Sequence, residues 1–317
     1  MGSHLKLVFD LPFFSPVVGG ITETIKIAQK LGAHLRFQKH SNFGVPVNLN
    51  HSIGMPDRTF PQCDVCVTYS DNPFMDRLVA LPQVGRVMVY MMSWGMEINR
   101  ERHNAFHPDV TALCTTKKIE DAIVAEGGKV HRIGFALDMA DMVDLGNERH
   151  DTLALYYHPS ELKRYKLAVD VSNALYGMKF IDNVLTFGTA EGYTYHKKPA
   201  GLVKHYQNAT RTDVLNVFNA SKMFIMPSVS EGLNLTPIEA TLCGCPSIIV
   251  DGEIGEIFID GVTCFVAKKD DYFEIENDAI EMLSNIDVYR VQFADNLREI
   301  IEDYTWDNLI KKFKEVL

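Results

Sequence analysis

Short apolar runs alternate along this chain with longer stretches whose apolar positions recur at helical spacing. Leu5 to Asp10 has the run of a buried strand. A Pro/Gly-rich turn through Gly19-Gly20 follows, then a helix from about Ile21 to Leu31 with apolar residues at Ile21, Ile25, Ala28 and Leu31. Further strands are predicted over Val65 to Tyr69, Val87 to Met92, Val110 to Cys114 and Val130 to Ile133, with helical stretches between several of them. Such βα alternation implies a parallel sheet. The polar stretch His40 to Pro61, with scattered Gly and Pro, interrupts the pattern and is expected to be a long loop.

A second alternation begins after the polar segment Gly146 to Asp151. It comprises strand Leu153 to Tyr157, helix Leu162 to Leu175, strand Asn183 to Phe187 ending at Gly188, and helix Arg211 to Ala220. Strand Met223 to Met226 comes next, then helix Pro237 to Cys243 and strand Pro246 to Val250. Two α/β domains are therefore expected, 5–148 and 151–300. The final segment, Asn296 to Leu317, is helical and amphipathic and need not belong to the second core alone.

Composition narrows the class. With 46% apolar and 23% charged residues the chain is neither disordered, collagen-like nor a coiled coil. The longest nearly apolar run, Val87 to Met96, contains Ser93 and Gly95 and falls far short of the ~18 residues needed to cross a bilayer. No integral membrane segment or secretory signal is expected, and Met1-Gly2-Ser3-His4 is set aside from the fold. Six Cys in apolar settings make no disulfide scaffold, so a cytoplasmic protein is expected. Cys63-Asp64-Val65-Cys66 has the spacing of half a zinc site but lies in a strand-like run without a second pair, so a structural role comes first. Cys243-Gly244-Cys245 suggests tight packing at a turn. The net charge of −10 is uneven: residues 1–150 carry −1 and residues 151–317 carry −9, while eight of the eleven His lie in the first part. The whole-chain value therefore excludes less about anionic partners than it first suggests.

The most informative stretch is Ser228-Val-Ser-Glu231-Gly232-Leu233-Asn234-Leu235-Thr236-Pro237-Ile238-Glu239-Ala240. A strand ends at Ser228, a Gly-containing loop follows, and Pro237 suits the first turn of a helix. The free N–H groups of that turn would face an anion at the carboxyl edge of the sheet, where open α/β sheets bind ligands. Glu231 in the loop and Glu239 one turn into the helix could contact two parts of one elongated ligand, since carboxylates accept from sugar and ribose hydroxyls.

The run Pro227 to Pro246, with its Glu-x7-Glu pair, resembles the donor-site signature of retaining family-4 glycosyltransferases, which have the GT-B architecture of two facing Rossmann-like domains. Gly19-Gly20, Asp251-Gly252, Asp260-Gly261-Val262 and Trp306 extend the resemblance over most of the chain. The resemblance implies an α/β, GT-B fold whose N-terminal domain holds the acceptor and whose C-terminal domain holds the donor, with 301–317 packing back on the N-terminal domain. It implies that Glu239 binds the nucleotide ribose, that Glu231 lies near the transferred sugar, and that Gly232, Leu233, Asn234, Leu235 and Thr236 offer amides to sugar and diphosphate. Gly19 and Gly20 would let the backbone approach the donor's diphosphate or the acceptor, or simply form a tight turn. Relatives of this kind hold the diphosphate with an Arg and a Lys after the first C-domain strand. Lys163 matches the Lys, but His158 stands where the Arg is expected, so either Arg164 or Lys166 supplies the missing charge or the leaving diphosphate is less well stabilised. No His aligns after the central N-domain strand; Trp94, Glu97, His103 and His107 are acceptor-site candidates, and either His also suits a surface or capping role.

The implied activity is retaining transfer of a hexosyl or pentosyl group from a nucleoside diphosphate sugar, UDP- or GDP-linked, to an acceptor hydroxyl, with no cofactor and no metal. No Gly-x4-Gly-Lys-Ser/Thr, Gly-x-Ser-x-Gly or His-Glu-x-x-His occurs, so ATPase, serine hydrolase and zinc-protease readings lack support. No Asp-x-Asp occurs either, which speaks against the metal-dependent GT-A class. The same motif would suit a nucleotide-sugar epimerase of GT-B type or a donor-binding pseudoenzyme. The acceptor is open among small sugars, lipids, protein side chains and a hydroxylated nucleic-acid base of the kind viral transferases modify.

Overall fold

The structure is a computed structural model, described here for residues 5–13, 19–39, 49–57, 59–91, 104–188, 198–229, 233–252 and 255–317. The chain divides into two units, 1–136 with 304–317, and 137–303.

The first unit is built on seven strands: β1 (Leu7–Leu11), β2 (His34–Phe37), β3 (His51–Ile53), β4 (Cys63–Tyr69), β5 (Val84–Met91), β6 (Val110–Cys114) and β7 (Val130–Arg132). They form one all-parallel sheet in the order β3-β2-β1-β4-β5-β6-β7. Burial on both faces is why these strands are apolar runs. Leu7, Phe9 and Leu11 of β1 point to one face, where α1 (Gly19–Lys30) contributes Ile25, Ile27 and Ala28. Val8 points to the other, under α2 (Met75–Val79) and α3 (Lys117–Ala125), which bring Met75, Leu78, Ile119 and Ile123. The last helix of the chain, α9 (Trp306–Val316), packs on the α1 face through Leu309 and Phe313, one turn apart. The Phe313 ring lies 5.7 Å from Tyr90 and 6.3 Å from Phe9.

The second unit has six strands: β8 (Thr152–Tyr157), β9 (Asn183–Gly188), β10 (Leu202–Gln207), β11 (Met223–Met226), β12 (Ser247–Val250) and β13 (Phe265–Ala267). They too are all parallel, in the order β10-β9-β8-β11-β12-β13. α4 (Tyr165–Gly177), α7 (Tyr272–Ser284) and α8 (Ile286–Ile300) supply Val169, Leu175, Ile275, Met282 and Phe293 to a core with Leu153, Leu155 and Tyr157 of β8. α5 (Arg211–Ala220) and α6 (Leu235–Leu242) contact the same strands, with Phe218 5.4 Å from both Phe187 and Phe224. Both sheets thus have the doubly wound strand order of a Rossmann-like domain, with the order reversing between β1 and β4 and between β8 and β11.

Several expectations are corrected. The stretch His40 to Pro61 is not loop throughout, because His51–Ile53 adds to β2. α1 begins at Gly19, so Gly19-Gly20 opens the helix instead of preceding it. The helix predicted from Leu162 starts only at Tyr165: Glu161–Lys163 is a 3-10 turn, and Arg164 breaks the helix with a left-handed φ of 47°. Asn296 to Leu317 is the end of α8 and all of α9. The residues just after Ala136 group with the second unit, whereas the sequence pattern carried the first domain to 148. Long-range ion pairs explain this. Arg290 of α8 donates to Asp144 Oδ2 at 2.7 Å and Oδ1 at 2.6 Å, and Arg149 donates to Asp144 Oδ1 and to the carbonyls of Phe218, Ser221 and Cys243. Gly244, with φ 72°, sits where a Cβ would overlap the Asp144 carboxylate.

Candidate functional site

The switch point between β8 and β11 brings together the loops that follow those two strands. After β8 the chain turns at His158, whose Nδ1 accepts the Ser160 N–H at 3.1 Å, so a neutral ring carries its proton on Nε2. The ring stacks on Tyr156, with centroids 6.0 Å apart. Ser160 Oγ accepts the Leu162 N–H and starts the 3-10 turn that ends at Lys163. The Leu162 carbonyl then accepts two hydrogen bonds from the loop after β11, from Val229 N–H at 3.0 Å and Ser228 Oγ at 3.2 Å. The turn after β12 closes on the same place: a Cβ on Gly252 would stand 3.0 Å from the Val229 carbonyl oxygen. Three strand ends thus converge at the crevice where ligands of doubly wound sheets bind.

From that loop the chain enters α6. Asn234 is its N-cap residue but caps nothing with its side chain, whose Nδ2 instead donates to Met226 Sδ at 3.3 Å. Leu235 and Thr236 are the first two helical residues, and Pro237 is the third, which leaves it in the first turn. Glu239 lies one turn in, its side chain 15% exposed. Its Oε1 accepts from Arg211 Nη1, and Oε2 has no hydrogen-bond partner among the described residues. Arg211 is in turn held by Asp141, through Nε at 3.0 Å and Nη2 at 2.9 Å. Burial raises the Glu239 carboxyl above the ordinary range, against the opposing charge and hydrogen bond of Arg211. Sequence reasoning missed both Arg211 and Asp141. The detectable signal was a cation at the first position of a helix, where the helix dipole disfavours it.

Of the other candidates, Arg164 is engaged with Asp270 in an ion pair that lowers the Asp270 carboxyl. Glu231 and Gly232 lie outside the described residues, as do Trp94, Glu97 and His103. His107 follows a 3-10 turn of the first unit, accepts the Asp109 N–H through Nδ1 at 3.2 Å, and has Nε2 3.4 Å from Asp76, a capping environment. In the same unit Asp10, fully enclosed at the end of β1, accepts from Arg36 on Oδ1 and from Gln38 (2.8 Å) and Asn72 (3.3 Å) on Oδ2. Cys63 and Cys66 are buried in β4, and burial pushes the Cys63 thiol up to about 11 and the Cys66 thiol well above its ordinary value. Among the described residues no group of three His, Cys, Asp or Glu is placed to hold a metal ion, and no helix is long and apolar enough to cross a membrane.

Residues 185–285, which contain the loop after β11 and α6, match a family model described as glycosyl transferases group 1. Over 105 residues, 33% of this chain, the sequence is 25% identical to an uncharacterized glycosyltransferase of Methanocaldococcus jannaschii. Over 75 residues, 24% of the chain, it is 35% identical to the UDP-Gal:alpha-D-GlcNAc-diphosphoundecaprenol alpha-1,3-galactosyltransferase of Escherichia coli. The matches span 30% and 18% of those two curated relatives. In structure, 98% of the chain superposes on 99% of Anabaena Alr3699/HepE, solved in complex with UDP, at 12% identity and a TM-score of 0.75. The two parallel-sheet, Rossmann-like units are those of the GT-B fold.

Proposed function

We propose that the protein is a glycosyltransferase that moves a sugar from a nucleoside diphosphate sugar to an acceptor hydroxyl, with retention at the anomeric carbon and without a metal. The observation that carries this reading is the convergence of the loops after β8, β11 and β12 on the switch point, directly before α6 and Glu239. The match of residues 185–285 to the glycosyl transferases group 1 model supports it. The UDP-galactose named for the E. coli relative and the UDP bound to the Anabaena protein favour a uridine nucleotide.

In this reading Glu239 accepts hydrogen bonds from the ribose, and Glu231 from hydroxyls of the transferred sugar. The diphosphate lies against the first turn of α6, whose N–H groups the Asn234 side chain does not cap. Lys163 and the Nε2–H of His158 face the same phosphates as they leave. Arg164 is already ion-paired with Asp270, so in this acid-rich half amides carry much of the stabilisation. The acceptor hydroxyl attacks from the face the phosphate leaves, and the departing phosphate oxygen takes its proton. No enzymic nucleophile is required.

The test is transfer from UDP-, GDP- and ADP-linked sugars to a panel of glycoside, polyprenyl-diphosphate, protein and hydroxylated-base acceptors. Wild-type protein should turn over one donor and Glu231→Ala should not; wild-type rates in that variant would overturn the reading. A donor-binding protein without transfer is a second reading, favoured by the Arg164–Asp270 pair and by His158 in place of an Arg. It predicts nucleotide binding with neither transfer nor slow donor hydrolysis.

A further inference from the structure

The Arg211 guanidinium lies between two carboxylates that are distant in sequence, Asp141 from the segment before β8 and Glu239 from α6. We propose that Arg211 is a positioning residue of the donor site, which fixes Glu239 through Oε1 and leaves Oε2 to accept from the ribose hydroxyls of a nucleoside diphosphate. This rests on the reading of Glu239 as the ribose acceptor. Asp141 orients Arg211 for the task.

Three features support this role over that of an ordinary surface ion pair. The first is the cost of the placement. Arg211 is the first residue of α5, where the positive end of the helix dipole disfavours a cation, and Asp213, Asp141 and Glu239 compensate. The second is rigidity. Thr210 and Asp213 form a reciprocal capping box, with Asp213 Oδ2 accepting the Thr210 N–H at 2.9 Å and Thr210 Oγ1 accepting the Asp213 N–H at 3.2 Å. The Arg211 backbone is thus held from both sides, and its fork grips Asp141 with Nε and Nη2 and presents Nη1 to Glu239. An ammonium cannot reproduce that geometry. The third is the setting of Glu239. The groups that face it are Arg211 of α5, Asp141 and the thiol of Cys243, the residue that ends α6 one turn on, with Arg149 beyond Cys243. Burial pushes the thiol up to about 11, so it is neutral, and among the described residues Arg211 is the cation bonded to the carboxylate. Without Arg211, burial and the Asp141 charge would both favour a protonated Glu239, which is a poorer acceptor for a diol.

The experiment is calorimetric titration of UDP and GDP, each with its 2′-deoxy counterpart, into wild type, Arg211→Gln, Arg211→Lys and Asp141→Asn between about pH 5.5 and 8.5. Wild type should prefer the ribonucleotide by about tenfold with a flat pH profile. Arg211→Gln should lose most of that preference at the acid end and regain part of it as rising pH ionises Glu239, while binding the deoxynucleotide almost as wild type does. Arg211→Lys should keep the flat profile at intermediate affinity, and Asp141→Asn should shift in the direction of Arg211→Gln by less. Arg211→Gln overturns the proposal if it retains the wild-type ribose preference, or if it loses ribo- and deoxynucleotide affinity equally at every pH. Wild type that binds neither UDP nor GDP overturns the donor reading and this role with it, and is recognised because wild type then fails alongside its variants.

Discussion

Asp10 in the first unit and Glu239 in the second each have a guanidinium as partner, and they are held in opposite ways. Asp10 is fully enclosed, and both of its oxygens are taken: Arg36 bonds Oδ1, Gln38 and Asn72 bond Oδ2, and Arg36 itself lies over the Phe60 ring and donates to the Gly54 carbonyl. Glu239 keeps an opening to solvent and, among the described residues, has one of its two oxygens committed. Burial raises both carboxyls, so the shift alone does not separate them. Unspent acceptor capacity does. A buried carboxylate whose lone pairs are all directed at protein donors locks local structure, whereas one held by a single oxygen still has an oxygen for a ligand.

The strongest way to break this comparison is Asp10→Ala. It strands the Arg36 guanidinium, 3% exposed, and should cost about 3–5 kcal/mol in a urea unfolding experiment while nucleotide affinity stays within about twofold of wild type. The double variant Asp10→Ala with Arg36→Met should be less destabilised than Asp10→Ala alone, because no unpaired charge is then buried. Equal losses in the two variants would show that Asp10 is not there to satisfy Arg36.

Glu239→Gln should show the reverse. Arg211 keeps both contacts to Asp141, so unfolding free energy should move by less than about 1 kcal/mol, whereas UDP or GDP binding should weaken by about 1.5–3 kcal/mol, the usual worth of a hydrogen bond to a charged group. A variant that binds as tightly as wild type would remove Glu239 from the site.

How far these assignments were visible beforehand depends on how local their causes are. Strands β4, β5, β6, β8 and β11 show in the pattern because burial on both faces makes them continuous apolar runs. β3 and β10 do not. His51–Ile53 is three half-exposed residues, and Leu202–Gln207 is an edge strand with Lys204 and Gln207 turned to solvent. The sequence pattern starts α4 too early because nothing in Leu162-Lys163-Arg164 announces a left-handed residue. At the site, the loop-helix stretch around Glu239 is contiguous and was legible. The Arg211 contacts are 28 and 70 residues away in sequence, and Asp141 and Asp144, which pair with Arg211 and Arg290, lie in a segment that looks like ordinary polar linker.

A third carboxylate extends the comparison into pH. Burial would raise Asp144, but hydrogen bonds from Arg290 and Gly146 and the charges of Arg149 and Arg290 bring it down to about 2. A carboxyl whose folded pKa is depressed contributes stability above its unfolded pKa and loses it as pH falls towards the folded value. Asp144 should therefore contribute about 1–2 kcal/mol, after allowance for its partial exposure, that disappears between about pH 4 and pH 2. Asp144→Asn should flatten that part of the acid unfolding curve; an unchanged slope would mean the ion pairs with Arg290 and Arg149 contribute nothing net.

The smallest effect is the most discriminating between a positioning role and a merely structural one. Thr210→Ala removes the capping box at the start of α5 and should cost about 1 kcal/mol in unfolding, as helix caps do. If Arg211 acts on Glu239 through a rigid anchor, fraying that first turn should also weaken binding of the ribonucleotide by about twofold to threefold and leave the 2′-deoxynucleotide untouched. The loss should not depend on pH, because the guanidinium remains and only its aim is blurred. A cap variant that is less stable but binds both nucleotides as wild type does would show that the Arg211–Glu239 contact tolerates a loose helix start, and orientation would then have to come from Asp141 alone.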